Sequence, residues 1–206
     1  MDLECVLWDF GDTLVDERWM QQAPEGVPEW PQVWSEVAGG ELADPWNLGE
    51  ISLAEVVEAV AARLPMTNDA VLDHVRWCCA HVRFFDVPIR VARASSLPQA
   101  IVTINPDGFS ELVAPTYRLG ETFRPIVTSW EERTLDKGVL GLRALECLAG
   151  DLRPADALLV DNKAENVEAW ARLGGRGYLF RGEEQFRSDL RGPLGGLAQS
   201  AGWGAS

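Results

Sequence analysis

Three apolar runs in this chain stop abruptly on polar residues, and that repeated pattern limits what the chain can fold into. Cys5-Val6-Leu7-Trp8 ends on Asp9, Ile101-Val102 runs into Thr103-Ile104-Asn105, and Leu158-Leu159-Val160 ends on Asp161-Asn162. A short apolar run without polar alternation reads as a strand buried on both faces. Strands are expected over residues 4–9, 100–104, 125–128, 157–160 and 177–180, with helices over 109–114, 137–148, 164–173 and 183–190. Strands separated by single helices imply an α/β fold with a doubly wound parallel sheet. In such sheets ligands bind beyond the carboxyl ends of the strands, where the three polar endings would meet.

Residues 16–95 break this alternation. Pro24, Pro28, Pro31 and Pro45 interrupt the stretch up to Gly49, with one short helix expected over 31–38. Ser52-Leu53-Ala54-Glu55 has the form of a capping box, so a helix should follow and end before Pro65. Thr67 or Asn68 should cap a longer helix running to about Phe84, and another is expected over 89–97. With no strand expected among them, these helices read as an insertion above Asp9. The domain reading is a core of residues 1–15 and 96–206 and a helical cap of residues 16–95. The tail from Gly192, rich in Gly, Ala and Ser, is expected to fray.

The 206 residues carry 18 basic and 32 acidic side chains, a formal charge of −14. That disfavours nucleic acid and anionic membranes, and it means that any bound phosphate needs a local cation. No apolar segment is long enough to span a bilayer, and Met1-Asp2-Leu3-Glu4 lacks the features of a signal peptide. Cys5, Cys78, Cys79 and Cys147 all lie in apolar contexts and read as buried free thiols, consistent with a reducing cytoplasm. His74 and His81 lack zinc spacing. Trp19, Trp30, Trp34 and Trp46 cluster in the insertion, read either as cap core or as aromatics presented to a substrate.

The strand ends carry chemistry. Asp9 is a nucleophilic or metal-binding carboxylate, Thr103 and Asn105 can hold a phosphate oxygen, and Lys137 opens a helix as the needed cation. Asp161 and Asn162 offer oxygen ligands for Mg²⁺, with Asn166 one turn further on to support them. Plainer structural roles stay open for each: Asp9 and Asp161 as caps, Thr103 as a strand residue, Lys137 as a surface lysine. Asp12 is read as a turn residue or as an acid–base group, and Arg18 as solvated or facing a substrate anion.

In this order the residues resemble the haloacid dehalogenase (HAD) superfamily. Its first motif, D-x-D-G-T-L after an apolar strand, stands here as Asp9-Phe10-Gly11-Asp12-Thr13-Leu14. The second matches Thr103-Ile104-Asn105, the third Lys137 without its usual proline, and the fourth Asp161-Asn162-Lys163-Ala164-Glu165-Asn166. The resemblance covers residues 1–15 and about 96–190, and implies a Rossmann-like core with a small helical cap between the first two motifs. It implies that Asp9 attacks phosphorus and forms an aspartyl-phosphate. Asp9, the Gly11 carbonyl and Asp161, with Asn162, would hold Mg²⁺, while Thr103, Ile104, Asn105 and Lys137 bind the phosphoryl group. The implied substrate is a small phosphorylated metabolite, and the protein a cytoplasmic monomer or homodimer. One position departs. Family phosphatases carry Asp two residues beyond the nucleophile, where it protonates the leaving group and activates water. Here that residue is Gly11, and losing such help costs on the order of 10²–10⁴-fold in rate. Three outcomes stay open: Asp12 reaches the site, the bond cleaved needs no proton (as with organohalides or phosphonates), or the protein is a slow or inactive relative that binds without turnover.

Overall fold

The computed structural model describes residues 3–148 and 150–203. Met1, Asp2 and the end of the tail, Gly204 to Ser206, lie outside the described residues, as does Ala149. Five parallel strands form the main sheet: β1 (Cys5–Trp8), β4 (Gln99–Thr103), β5 (Ile126–Thr128), β6 (Ala157–Asp161) and β7 (Arg176–Leu179), in the order β5-β4-β1-β6-β7. The chain moves outward from β1 through β4 to β5, then crosses to β6 and β7. The order therefore reverses at β1, which places the ligand crevice over its carboxyl end. All residues of β1, β4 and β6 are buried, which is why they read as unbroken apolar runs.

Alternate residues feed two cores. Val6, Trp8, Ile101, Leu158 and Val160 face one side, together with the insertion and the carboxyl-terminal helices. Cys5, Leu7, Ala100, Val102 and Leu159 face the other, under the helices Lys137–Cys147 and Ala164–Arg172. The buried Trp8 indole donates to the Gln99 side chain (2.8 Å), whose amide donates to the Ala92 carbonyl (2.7 Å), so neither polar group is left unsatisfied.

The insertion is more ordered than the sequence suggests, and one expectation needs correcting. The helix capped by Thr67 ends at Cys79, not near Phe84. Arg83–Phe84 (β3) instead pairs antiparallel with Val15–Asp16 (β2), a two-stranded ribbon where the chain leaves and re-enters the core. The next helix spans Asp86–Ala94, earlier than expected, with Pro88 in its first turn, where no intrahelical N–H is required. Ser52 and Glu55 form the expected capping box ahead of Leu53–Ala61. Trp30 and Trp34 stack with ring centroids 5.3 Å apart, and with Trp46 they are buried in the core shared with the sheet, while Trp19, Trp34 and Trp46 also border a cavity, so both readings of that cluster have a basis. Asp107, four residues beyond the end of β4, ties the insertion down by accepting from the Trp46 indole (2.6 Å) and the Leu53 N–H (2.8 Å).

Two further expectations fail. The tail does not fray from Gly192: Gly195–Ser200 is a helix that buries Leu197 and Ala198, and Ser96 N–H donates to the Ser200 carbonyl at 3.0 Å. Cys147 is exposed, at the end of its helix, whereas Cys5, Cys78 and Cys79 are buried free thiols. Among the described residues no helix is long and apolar enough to cross a membrane.

Candidate active site

Sheet register assembles the site. Trp8 pairs with both Ile101 and Val160, so the next residue, Asp9, stands between Val102 and Asp161. Lys137 enters from the first turn of its helix, which Asp136 caps by accepting from the N–H groups of Gly138 and Val139. Its ammonium donates to Asp9 Oδ1 (2.6 Å) and to the Val102 carbonyl (2.9 Å), and lies 3.3 Å from Asp161 Oδ2. Lys137 is 3 % exposed, which removes the surface-lysine reading. A buried ammonium is tolerable only with such partners. Burial opposes its charge, but Asp9 and Asp161 outweigh burial and raise its pKa above the ordinary lysine value. For Asp9, burial pushes the carboxyl up, Lys137 pulls it back, and Asp161 pushes it up again.

Asp9 Oδ1 is thus committed to Lys137, while Oδ2 accepts a long hydrogen bond from Thr13 (3.4 Å). A cavity of about 40 Å³ opens here, lined by Asp9, Gly11, Glu17, Thr103, Asn162 and Lys163 among others. Ile104 and Asn166 also border it. The Thr103 hydroxyl accepts from the Asn105 amide at 2.7 Å. Asn105 itself lines a second, larger cavity of about 400 Å³ between the insertion and the sheet, walled by Trp19, Met20, Trp34, Trp46 and Phe109. Glu17, Ile104 and Lys163 border both cavities.

The two residues of the fourth motif point different ways. Asp161 is fully buried; it accepts from the Lys163 N–H (2.8 Å) and from the Asn166 amide at both oxygens (3.1 and 3.0 Å), besides facing Lys137. Asn162 lines the small cavity, and its Oδ1 is buried without a hydrogen-bond partner. An orphaned buried acceptor calls for a donor or a cation. Among the described residues no three His, Cys, Asp or Glu side chains gather as a metal cage. Asp9, Gly11 and Asn162 around the cavity bear hard oxygens, and this chemistry fits Mg²⁺.

Asp12 does not join this group. It is exposed, sits at φ 47° in the left-handed region, and its Oδ1 accepts from the Glu17 N–H at 3.0 Å. Arg18 pairs with Asp16 on the surface. The residue that sequence reasoning missed is Glu17. Taken whole it is exposed, but its carboxylate end is enclosed beside Asp9 and Gly11; burial there, with the charges of Asp12 and Asp9, pushes its pKa up to about 7. Lys163 is a second such residue: the fourth motif contains it, but nothing in its spacing marks it as a cavity-lining cation.

The fold has known counterparts. No family model and no curated protein matches the chain. Among solved structures, an L-2-haloacid dehalogenase from Xanthobacter autotrophicus superposes with a TM-score of 0.64 at 16 % identity, over 96 % of this chain and 87 % of that one. The chain has the fold of the haloacid dehalogenase superfamily. A HAD family enzyme from Bacteroides thetaiotaomicron, in complex with magnesium and inorganic phosphate, superposes with a TM-score of 0.60 at 11 % identity, over 87 % of this chain and 95 % of that one. The HAD fold therefore accompanies both a dehalogenase and an enzyme that binds magnesium and phosphate, and the chemistry of this chain has to be read from its own residues.

Proposed function

We propose that this protein is a hydrolase of the HAD type that cleaves a phosphate ester of a small molecule, with Asp9 as nucleophile and Mg²⁺ as cofactor. The observation that carries the reading is the small cavity in which Asp9, Gly11, Thr103, the orphaned Asn162 Oδ1 and two lysines converge. Lys137 fixes the Asp9 carboxylate by its Oδ1, which leaves Oδ2 to attack phosphorus and form an aspartyl-phosphate. The Thr103 hydroxyl and the two ammonium groups supply the positive and hydrogen-bonding surroundings that the transferring phosphoryl group requires in an acidic protein. Asp9, the Gly11 carbonyl and Asn162 would hold Mg²⁺, which would add positive charge at the phosphoryl oxygens. Asp161 supports the site by holding Lys137 and Asn166. The segment around residues 16–95 serves as the cap, and the aromatic walls of the larger cavity favour a leaving group with a flat apolar portion.

The test is phosphate release from phenyl phosphate and glycerol phosphate. Expected are release that requires Mg²⁺ and stops with EDTA, preference for the aryl ester, and loss to background in Asp9→Asn. Activity unchanged by Asp9→Asn would remove the proposal. Gly11 favours a second reading, a binding protein that keeps the fold without turnover; Mg²⁺ binding by calorimetry together with silence across a panel of esters would select it.

A further inference from the structure

Gly11 and Glu17 compete for one volume. A Cβ built on Gly11 would lie 1.7 Å from Glu17 Oε1 and 2.4 Å from its Cδ. No side chain at position 11 can coexist with Glu17 as it stands. The backbone does not explain the glycine, because Gly11 is not among the residues with positive φ. What the missing side chain provides is room, and the Glu17 carboxylate fills it.

Two local turns build that placement. Asp12 passes through the left-handed region and accepts from the Glu17 N–H, and Asp16 caps the 3₁₀ turn Glu17–Gln21 by accepting from Arg18. Glu17 then reaches back over six residues to the wall of the small cavity, beside Asp9 and Asn162, while also bordering the larger cavity with Trp19 and Trp46. It thus borders both the cavity that holds Asp9 and the larger aromatic one.

We propose that Glu17 is a catalytic residue, supplying from position 17 the carboxyl group that position 11 lacks. The inference rests on the phosphatase reading above. In the first step Asp9 Oδ2 forms a bond to phosphorus, the phosphorus–oxygen bond to the leaving group breaks, and the leaving oxygen takes the proton of Glu17. In the second step a water oxygen attacks the phosphorus of the aspartyl-phosphate, its proton passes to the Glu17 carboxylate, and Asp9 is released with inorganic phosphate.

Leaving-group dependence separates this role from a structural one. Benzyl phosphate expels a poor leaving group that needs the proton; 4-nitrophenyl phosphate expels one that does not. With Mg²⁺ present, Glu17→Gln is expected to lower turnover of benzyl phosphate on the order of 10²–10⁴-fold. With 4-nitrophenyl phosphate the variant should release one burst of nitrophenol equal to the enzyme and then stall. Intact mass spectrometry should then show the phosphorylated protein accumulating. Unchanged turnover, or an equal loss on both esters with no burst and no phosphoprotein, overturns the proposal. A second comparison guards against misfolding. The double variant Gly11→Asp/Glu17→Ala returns a carboxylate to position 11 and should recover benzyl phosphate turnover relative to Glu17→Ala; no recovery counts against the proposal. If the wild-type protein cleaves neither ester, the phosphatase reading and this inference fall together. If it cleaves both in an Asp9-dependent manner and Glu17→Gln matches it, only this inference falls.

Discussion

In the proposed mechanism Glu17 takes the role that the sequence position of Asp12 suggests. Asp12 follows the nucleophile closely in sequence, yet its carboxylate points along the surface and holds the Glu17 backbone at 3.0 Å. It is a positioning residue, and its own conformation matters, since φ 47° is tolerated by Asn and Asp far better than by Ala. Asp12→Asn keeps both the acceptor oxygen and the tolerance, and should leave kcat close to wild type. Asp12→Ala loses both; kcat should fall several-fold with KM little changed, and stability by about 1 kcal/mol for the lost hydrogen bond. Steady-state kinetics and urea unfolding on the two variants check this, and equal behaviour of Asn and Ala would contradict it. None of this was legible in the sequence. Spacing shows that position 11 has no side chain, but that residue 17 fills the gap depends on a left-handed turn and a 3₁₀ turn that no local pattern announces.

The strands were legible because burial on both faces writes itself as unbroken apolar runs, and Asp9, Thr103 and Asp161 could be read as strand ends for the same reason. The β2–β3 ribbon was not legible. Each strand has two residues, and Arg83–Phe84 follows directly on an apolar helical stripe, so it reads as more helix until Val15 and Asp16 are there to pair with it. The helix over 195–200 was hidden by composition: its small residues look like a loose tail, and its order comes from packing against the helix Asp86–Ala94 and the Ser95–Ser200 contact at 2.8 Å. Close packing also reverses a local rule at Gly141. Alanine is favoured over glycine inside a helix by about 1 kcal/mol. A Cβ at Gly141, however, would lie 2.6 Å from Cζ3 of the fully buried Trp170, where the helices Lys137–Cys147 and Ala164–Arg172 meet. Gly141→Ala is therefore expected to destabilise the protein by about 1–3 kcal/mol as an overpacked core. Because that helix carries Lys137, activity should fall with stability. Denaturant unfolding reads the sign directly, and a stabilised variant would refute the packing assignment.

Across the molecule, the charge of −14 opposes the substrate that the site is proposed to take. Lys137 and Lys163 provide positive charge at the small cavity while the surrounding surface repels an anion. Screening should relieve the repulsion more than it weakens a buried lysine, so kcat/KM for a phosphate ester should rise as salt increases from low ionic strength through the physiological range. A steady fall would mean that exposed cations guide the substrate instead. The sheet and the small cavity meet at Asp9, whose Oδ2 is the proposed nucleophile, and the most direct test asks what becomes bonded to it. Mixing the protein and Mg²⁺ with 4-nitrophenyl phosphate, quenching in acid and mapping peptides by mass spectrometry should find one phosphoryl group, on Asp9. Phosphate released with no adduct at Asp9 on any time scale, or an adduct on another residue, would contradict the assignment of Asp9 as nucleophile.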